Sequence, residues 1–376
     1  MEYTAIHSTK NINKFKKKAL IWAKNYKYFT YLEANSFQYP NNPFRNLLAL
    51  GAKRIIQFEI SDKSDSFEIL KNDVKQNKTW LFGYLGYELK NEIEKLQSNN
   101  PDLINAPPIF FYEPEYVLEF FEDKVIISSD NSVDALFDTI QNVELSKKQS
   151  RNSNSILDIQ QKISEHEYCK IIKNIQNNIL EGDVYELNFC MEFFAKNAAI
   201  NPLEIFNKLN TKSPMPFAAF QKINEQYLIC ASPERFLKKV GEKLISQPIK
   251  GTIRRGKTEE EDEKLKKQLF NDEKERAENM MIVDLVRNDL ARSSEVGSTK
   301  VSEIFGIYTF EQLHQMISTV ESRLRKDVHF VDAIKNAFPM GSMTGAPKVA
   351  TMKLIEEYEQ SQRGIYSGAV GYISPD

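Results

Sequence analysis

In the segment HEYCKIIKNIQNNILEGDVYELNF, Ile171, Ile172, Ile175 and Ile179 recur at helical spacing before Gly182. That stripe predicts an amphipathic helix ended by a glycine free to adopt a left-handed cap. VYELNF after it reads as a strand. From Phe217 to Thr252 the pattern shortens into several strands, with a hairpin turn at Val240, Gly241 and Glu242. Residues 257–293 read as helix throughout, the first half so charged that it faces water. Strand follows over 298–324, helix over 330–338 and 344–360, and strand over 364–373. Upstream, RIIQFEI and YVLEFF are strand-like, and TWLFGYLGYELK gathers aromatic residues around Gly83 and Gly86 as core. Strands and helices alternate without a regular βαβ period, which predicts an α+β fold with much antiparallel sheet.

The clear break is LSKKQSRNSNS, residues 145–155, a polar stretch without hydrophobic period. It divides the chain into an N-terminal part, 1–150, and a C-terminal part, 156–376. A composition of 41% hydrophobic and 27% charged residues excludes disorder as the main state. A net charge of −2 supplies no global field for nucleic acid or an anionic membrane, so an anionic ligand has to be caught locally. Cys169, Cys190 and Cys230 lack paired spacing and read as buried reduced thiols. With no signal-peptide pattern and no bilayer-length apolar run, a cytoplasmic enzyme or binding protein is expected.

Four clusters could carry chemistry. A hairpin centred near residue 242 pairs Glu234 with Lys250, either as a surface ion pair or as an acid and an amine sharing one site. The second use requires the lysine to lose a proton that it ordinarily holds to a pKa near 10.4. In ERAEN, Glu275 and Glu278 stand one helical turn apart, a spacing that suits either a solvated face or a Mg²⁺ ion. The apolar MMIVDLV after them points this helix into the interior. In PMGSMTGAPK, residues 339–348, Thr344 reads as a helix cap and Pro347 as first-turn proline. Such an opening can cradle an anion with Lys348 as charge partner, or be a plain cap. His314 shares a strand face with Met316, Ser318 and Val320, which suits a satisfied core histidine better than a catalyst. No HExxH, CxxC, nucleophile-elbow or dinucleotide fingerprint is present.

The order ASPERF, PIKGT, ERAENMMIVDLVRNDL, the His314 strand, FPMGSMTGAPK and IYSGAVGY resembles the chorismate-utilising enzymes, and within them the aminodeoxychorismate synthase component I branch. The resemblance is strong from about residue 160 onward and weaker upstream through GYLGYELK. It implies antiparallel sheets packed face to face with helices outside, and a C-terminal cleft for chorismate and Mg²⁺. Glu275 and Glu278 match the family's first acidic, metal-holding motif. Thr252 of PIKGT, Ser342, Thr344, Gly345, Lys348 and Tyr366 match positions that line the chorismate site. Glu234 matches the acid that assists departure of the C4 hydroxyl, and His314 the histidine near the ring carboxylate.

Two positions separate the branches that the chain resembles. Anthranilate synthases carry alanine where this chain has Lys250, whereas aminodeoxychorismate synthases carry a lysine that adds to C2 of chorismate. Isochorismate and salicylate synthases activate water with a lysine at the position of Glu186, so water activation is disfavoured. The same resemblance implies a separate glutamine amidotransferase subunit as ammonia source. It also implies a further strand with an arginine and a last segment with a second metal-binding glutamate beyond YISPD, so a truncated sequence is expected. In YLEANS, 31–36, a stretch similar to the tryptophan-binding motif of anthranilate synthases, the serine falls on Ala34. With SPMPF, 213–217, as the other nearest stretch, tryptophan feedback is not expected.

Overall fold

The computed structural model describes residues 1–35, 37, 41, 44–58, 65–145 and 157–375. The polar stretch at 146–156 therefore lies outside the described residues, as does Ser36 of YLEANS. Alternation organises the first half. In the strand Tyr28–Glu33, Phe29 and Tyr31 point one way, Thr30 and Leu32 the other, and all four are buried. A strand buried on both faces has to be central. This one lies inside a seven-stranded antiparallel sheet ordered Tyr3–Ser8, Lys124–Ser129, Tyr116–Phe120, Leu47–Leu50, Tyr28–Glu33, Phe217–Ile223, Gln226–Ser232.

One face of that sheet packs on a four-stranded sheet ordered Ala369–Ile373, Leu81–Leu85, Ile109–Glu113, Arg54–Phe58. Leu32, Leu47 and Ala219 of the first meet Phe82, Tyr84, Phe110 and Tyr112 of the second in one apolar cluster. The outer faces are closed by helices. Phe15 and Ala19 of Ile12–Ala23 and Phe206 of Pro202–Lys212 cover the large sheet. Phe67 and Leu70 of Ser66–Gln76 and Val331 of Phe330–Ala337 cover the small one. The expected face-to-face sheets with helices outside are thus present. The division at 150 and 156 does not separate them: Phe217–Ser232 completes the large sheet and Ala369–Ile373 the small one. Close pairing of backbone in these strands, not the polar stretch between them, decides which segments belong together.

A third sheet is built on the long strand Leu313–Arg323. One edge carries Lys300–Thr309, and the other carries Lys243–Gln247 and then Ile249–Arg254. Arg235–Val240 pairs with Lys243–Gln247 through a hairpin in which Gly241 has φ +57°. Residues 257–293 form two helices, Glu259–Asn271 and Glu273–Ala291, rather than one. Asp272 leaves the helical conformation and its carboxylate accepts from the Glu275 N–H, capping the second helix. Ile282, Val283 and Val286 of that helix pack against Leu244 and Val320.

The helix Glu165–Glu181 ends at Gly182, φ +88°, as its pattern predicts, though Ile175 alone of its stripe is buried. VYELNF contributes only the short strand Glu186–Leu187, paired with Gly345–Ala346. All three cysteines are free; Cys169 is exposed, and Cys190 and Cys230 are partly buried. Among the described residues no helix is long and apolar enough to cross a membrane.

Candidate active site

Pro248 interrupts the chain between Lys243–Gln247 and Ile249–Arg254, so Lys250 begins a new strand instead of continuing the hairpin. Glu234 and Lys250 are therefore not cross-strand partners; the hairpin pairs Arg235 with Gln247 and is irregular before Lys238. They meet by another route. The pairing of Ile249–Arg254 with the long strand slips between Ile249 and Thr252, and Gly251 inside the slip has φ +94°. This bulge, which needs a glycine, re-aims Lys250 into a cleft.

There the Lys250 ammonium forms an ion pair with Glu186 and donates to Asn188 Oδ1 at 3.0 Å. The helix behind it fixes the backbone: Asn279 Nδ2 donates to Lys250 O at 3.2 Å and Met316 O at 3.3 Å, and Ser318 Oγ donates to Asn279 Oδ1 at 2.6 Å. Glu234 faces the same space. Its carboxylate accepts from the Ser342 hydroxyl and the Ile249 N–H and feels the Lys250 charge. Burial outweighs all three and pushes its pKa up to about 7, within reach of an acid that works near neutrality.

Glu275 and Glu278 project from the first two turns of Glu273–Ala291, both partly exposed. Gly251 makes room for the first of them, because a Cβ there would lie 3.2 Å from Glu275 Oε2. The Lys274 ammonium lies 3.0 Å from Glu278 and 3.8 Å from Glu275, so a positive charge already bridges the pair. Among the described residues no group of three or more acidic, histidine or cysteine side chains gathers as a metal cage. Two partly exposed carboxylates one helical turn apart fit Mg²⁺, which keeps waters and takes substrate oxygens for its remaining positions.

The 339–348 loop is placed differently from its sequence reading. The helix starts at Lys348, with Pro347 as its cap residue, and Thr344 caps nothing: its hydroxyl donates back to Met340 O and Gly341 O. Gly345 lies in the short strand against Glu186, φ +136°, where a Cβ would fall 2.1 Å from Glu186 O. Lys348 is already ion-paired. It donates to Asp289 Oδ2 at 2.6 Å and to Ala337 O at 3.3 Å, bracing the loop instead of waiting for an anion. Ser342 alone of the loop's side chains reaches Glu234. Thr252 is exposed on the Lys250 strand, and Tyr366 is a 61% exposed rim residue whose hydroxyl donates to the Cys190 sulfur.

His314 does not belong to this cleft. It is fully buried under the helix Glu259–Asn271, with Nε2 2.9 Å from Asp262 Oδ1 and Nδ1 3.0 Å from Thr309 Oγ1. Its strand neighbour Gln315 is the one paired with Thr252, and Gln315 Oε1 is buried without a partner.

Sequence reasoning also passed over the frame. Arg363 binds Glu359 through two nitrogens, at 2.9 and 2.6 Å, and donates to Met343 O at 2.7 Å and Asn188 O at 2.8 Å. Cys190 N–H donates to the same Glu359. One buried guanidinium thus ties the Ser342 loop to the segment bearing Asn188. Asn188 itself had a signal: it stands two residues after Glu186, on the same strand face.

The structure thus sets an antiparallel two-sheet core beside a lysine, a high-pKa carboxylic acid and, next to Gly251, a carboxylate pair. The family model described as "chorismate binding enzyme" matches residues 23–376, and the chain belongs to that family. It is 46% identical over 210 residues to the aminodeoxychorismate synthase of Streptomyces griseus, covering 55% of this chain and 29% of that one. It is 33% identical over 304 residues to aminodeoxychorismate synthase component 1 of Bacillus subtilis, covering 77% and 64%. The chain thus spans less than two thirds of the length of either relative. The crystal structure of anthranilate synthase component I from Streptococcus pneumoniae superposes with a TM-score of 0.75 at 26% identity, covering 90% of this chain and 83% of the other.

Proposed function

We propose that this chain converts chorismate and ammonia to 4-amino-4-deoxychorismate, in the cytoplasm and on the route to para-aminobenzoate and folate. A glutamine amidotransferase subunit would deliver the ammonia. The observation that carries this reading is the meeting of Lys250 and Glu234 in one cleft, an amine and an acid of raised pKa. Similarity to two aminodeoxychorismate synthases supports it.

In the reaction, the neutral Lys250 amine adds to C2 of the ring diene. The two double bonds shift, the C4–O bond breaks, and Glu234 gives its proton to the departing hydroxyl, which leaves as water. Ammonia then adds to C4, the double bonds shift back, and the C2–N bond breaks with its electrons returning to Lys250. Glu234, now a carboxylate, takes the proton shed by the new ammonium. Mg²⁺ held by Glu275 and Glu278 would neutralise a substrate carboxylate when bound. Asn188 and Asn279 orient Lys250, one through its side chain and the other through its carbonyl.

The test is product analysis with chorismate, an ammonium salt and Mg²⁺. Aminodeoxychorismate retains its enolpyruvyl group, whereas anthranilate is fluorescent and forms with release of pyruvate. Anthranilate as the main product would overturn the reading. Mg²⁺-dependent chorismate binding without any turnover would instead support a non-catalytic binding protein.

A further inference from the structure

We infer that Glu186 is the group that takes the proton from Lys250 when the lysine becomes a nucleophile, an inference that rests on the nucleophile role proposed above. The amine cannot attack while it is an ammonium, so one proton has to leave Nζ for an acceptor within reach. Glu186 is in direct contact with it.

Both Glu186 carboxylate oxygens are buried and neither accepts a hydrogen bond. Buried carboxylates ordinarily gather several N–H donors, which stabilise the charged form and weaken the base. Glu186 has only the Lys250 ammonium, so no other donor occupies the oxygen that faces Nζ. The backbone holds it there: Glu186 pairs with Ala346, and Gly345 lets the two segments approach.

The other charged groups around the pair are committed. Glu234 accepts from Ser342 and the Ile249 N–H and has its own proton to give to the C4 hydroxyl. Glu275 lies over Gly251 as one of the metal-suited pair, and Arg363, bound to Asn188 O, is itself neutralised by Glu359. Substrate covering the pair removes water from a Glu186 carboxylate that has no donor besides Lys250, while Asn188 Oδ1 holds the lysine nitrogen in place. In that setting a proton passing from Nζ to a Glu186 oxygen turns two buried charges into two neutral groups. The N–H bond breaks and the O–H bond forms with no other reactant. Lys250 later leaves C2 as a neutral amine and recovers its proton from Glu186.

In this assignment the proton that leaves Nζ stays within the pair, so the parent enzyme needs no exchange with solvent for this step. Glutamine at 186 cannot accept the proton, so Lys250 would have to lose it to solvent. The ratio of kcat/KM for the parent to that for Glu186→Gln is therefore expected to be about 100 near pH 7. It should fall roughly tenfold per pH unit as the pH rises, with Glu234 and substrate ionisations cancelling in the ratio. Glu186→Asp should keep a pH-independent ratio.

A second readout avoids turnover. With chorismate and no ammonia, the mass-shifted Lys250 adduct should form slowly in Glu186→Gln at pH 7 and recover at pH 9. A ratio flat with pH, a Glu186→Gln variant as fast as the parent at pH 7, or equal adduct rates would overturn the assignment while leaving the nucleophile in place. If the parent forms no adduct, or Lys250→Ala keeps near-normal activity, it is the nucleophile reading that fails.

Discussion

The Ser342 hydroxyl donates to Oε1 of Glu234, joining the 339–348 loop to the residue that ends ASPE. The bond stabilises the ionised carboxylate, against the burial that drives its pKa up to about 7. Glu234 serves as an acid only while protonated, so kcat/KM should decline as pH rises above about 7. Ser342→Ala removes a donor to the charged form, worth about one pH unit by the usual strength of such bonds. The alkaline limb of the pH profile should move up by that amount.

Glu234 also links pH to stability. Its folded pKa lies above its unfolded value, so folding takes up a proton between about pH 4.3 and 7, and stability falls across that window as pH rises. Glu234→Gln removes the penalty. Thermal melts should show the variant more stable than the parent at pH 8, by up to about 3 kcal/mol, and the two nearly equal at pH 4.

Lys274 competes with any cation at Glu275 and Glu278. An exposed pair of this kind holds only a few tenths of a kcal/mol, so Lys274→Met should tighten Mg²⁺ by about twofold at most. Glu278→Gln should weaken it by tenfold or more, about what loss of one of two carboxylate ligands implies. Calorimetric titration of Mg²⁺ in the presence of chorismate reads both.

Arg363 and Glu359 are both almost completely buried. Arg363→Met leaves Glu359 an unpaired buried charge and should cost about 3–5 kcal/mol in a denaturant melt. Arg363→Met combined with Glu359→Gln should recover much of that stability. Activity should stay low in the double variant, because Met343 O and Asn188 O still lack their donor.

His314→Asn breaks the contact with Asp262 on the covered face. Stability should fall by about 1–3 kcal/mol. At a temperature where the variant is folded, its KM and kcat should match the parent within about twofold, since nothing of His314 reaches the cleft.

These outcomes depend on features of unequal legibility in the sequence. Local signals held: the Gly182 cap, the Gly241 turn and the shared face of His314, Met316, Ser318 and Val320 are all present. Alternation cannot say which face is which, however. His314 lies under the helix Glu259–Asn271, a segment some fifty positions away along the chain, which agrees with the core reading of its stripe and not with the place near the ring carboxylate that the resemblance implied. The break at Asp272 is hidden because both helices around it are rich in charge. Lys348 reads as an anion partner because its true partner, Asp289, comes from another helix. The Glu234–Lys250 meeting was anticipated for the wrong reason, since Pro248 and the bulge at Gly251 bring them together where a continued hairpin would not.

The strand Tyr28–Glu33 takes one neighbour from Leu47–Leu50 and the other from Phe217–Ile223. During synthesis its second edge stays bare until residue 223 has left the ribosome, and the small sheet waits longer still, for Ala369–Ile373. An apolar strand so exposed is a template for pairing with other chains. The nascent N-terminal half is accordingly the stage at which this edge has to be kept from pairing with other chains.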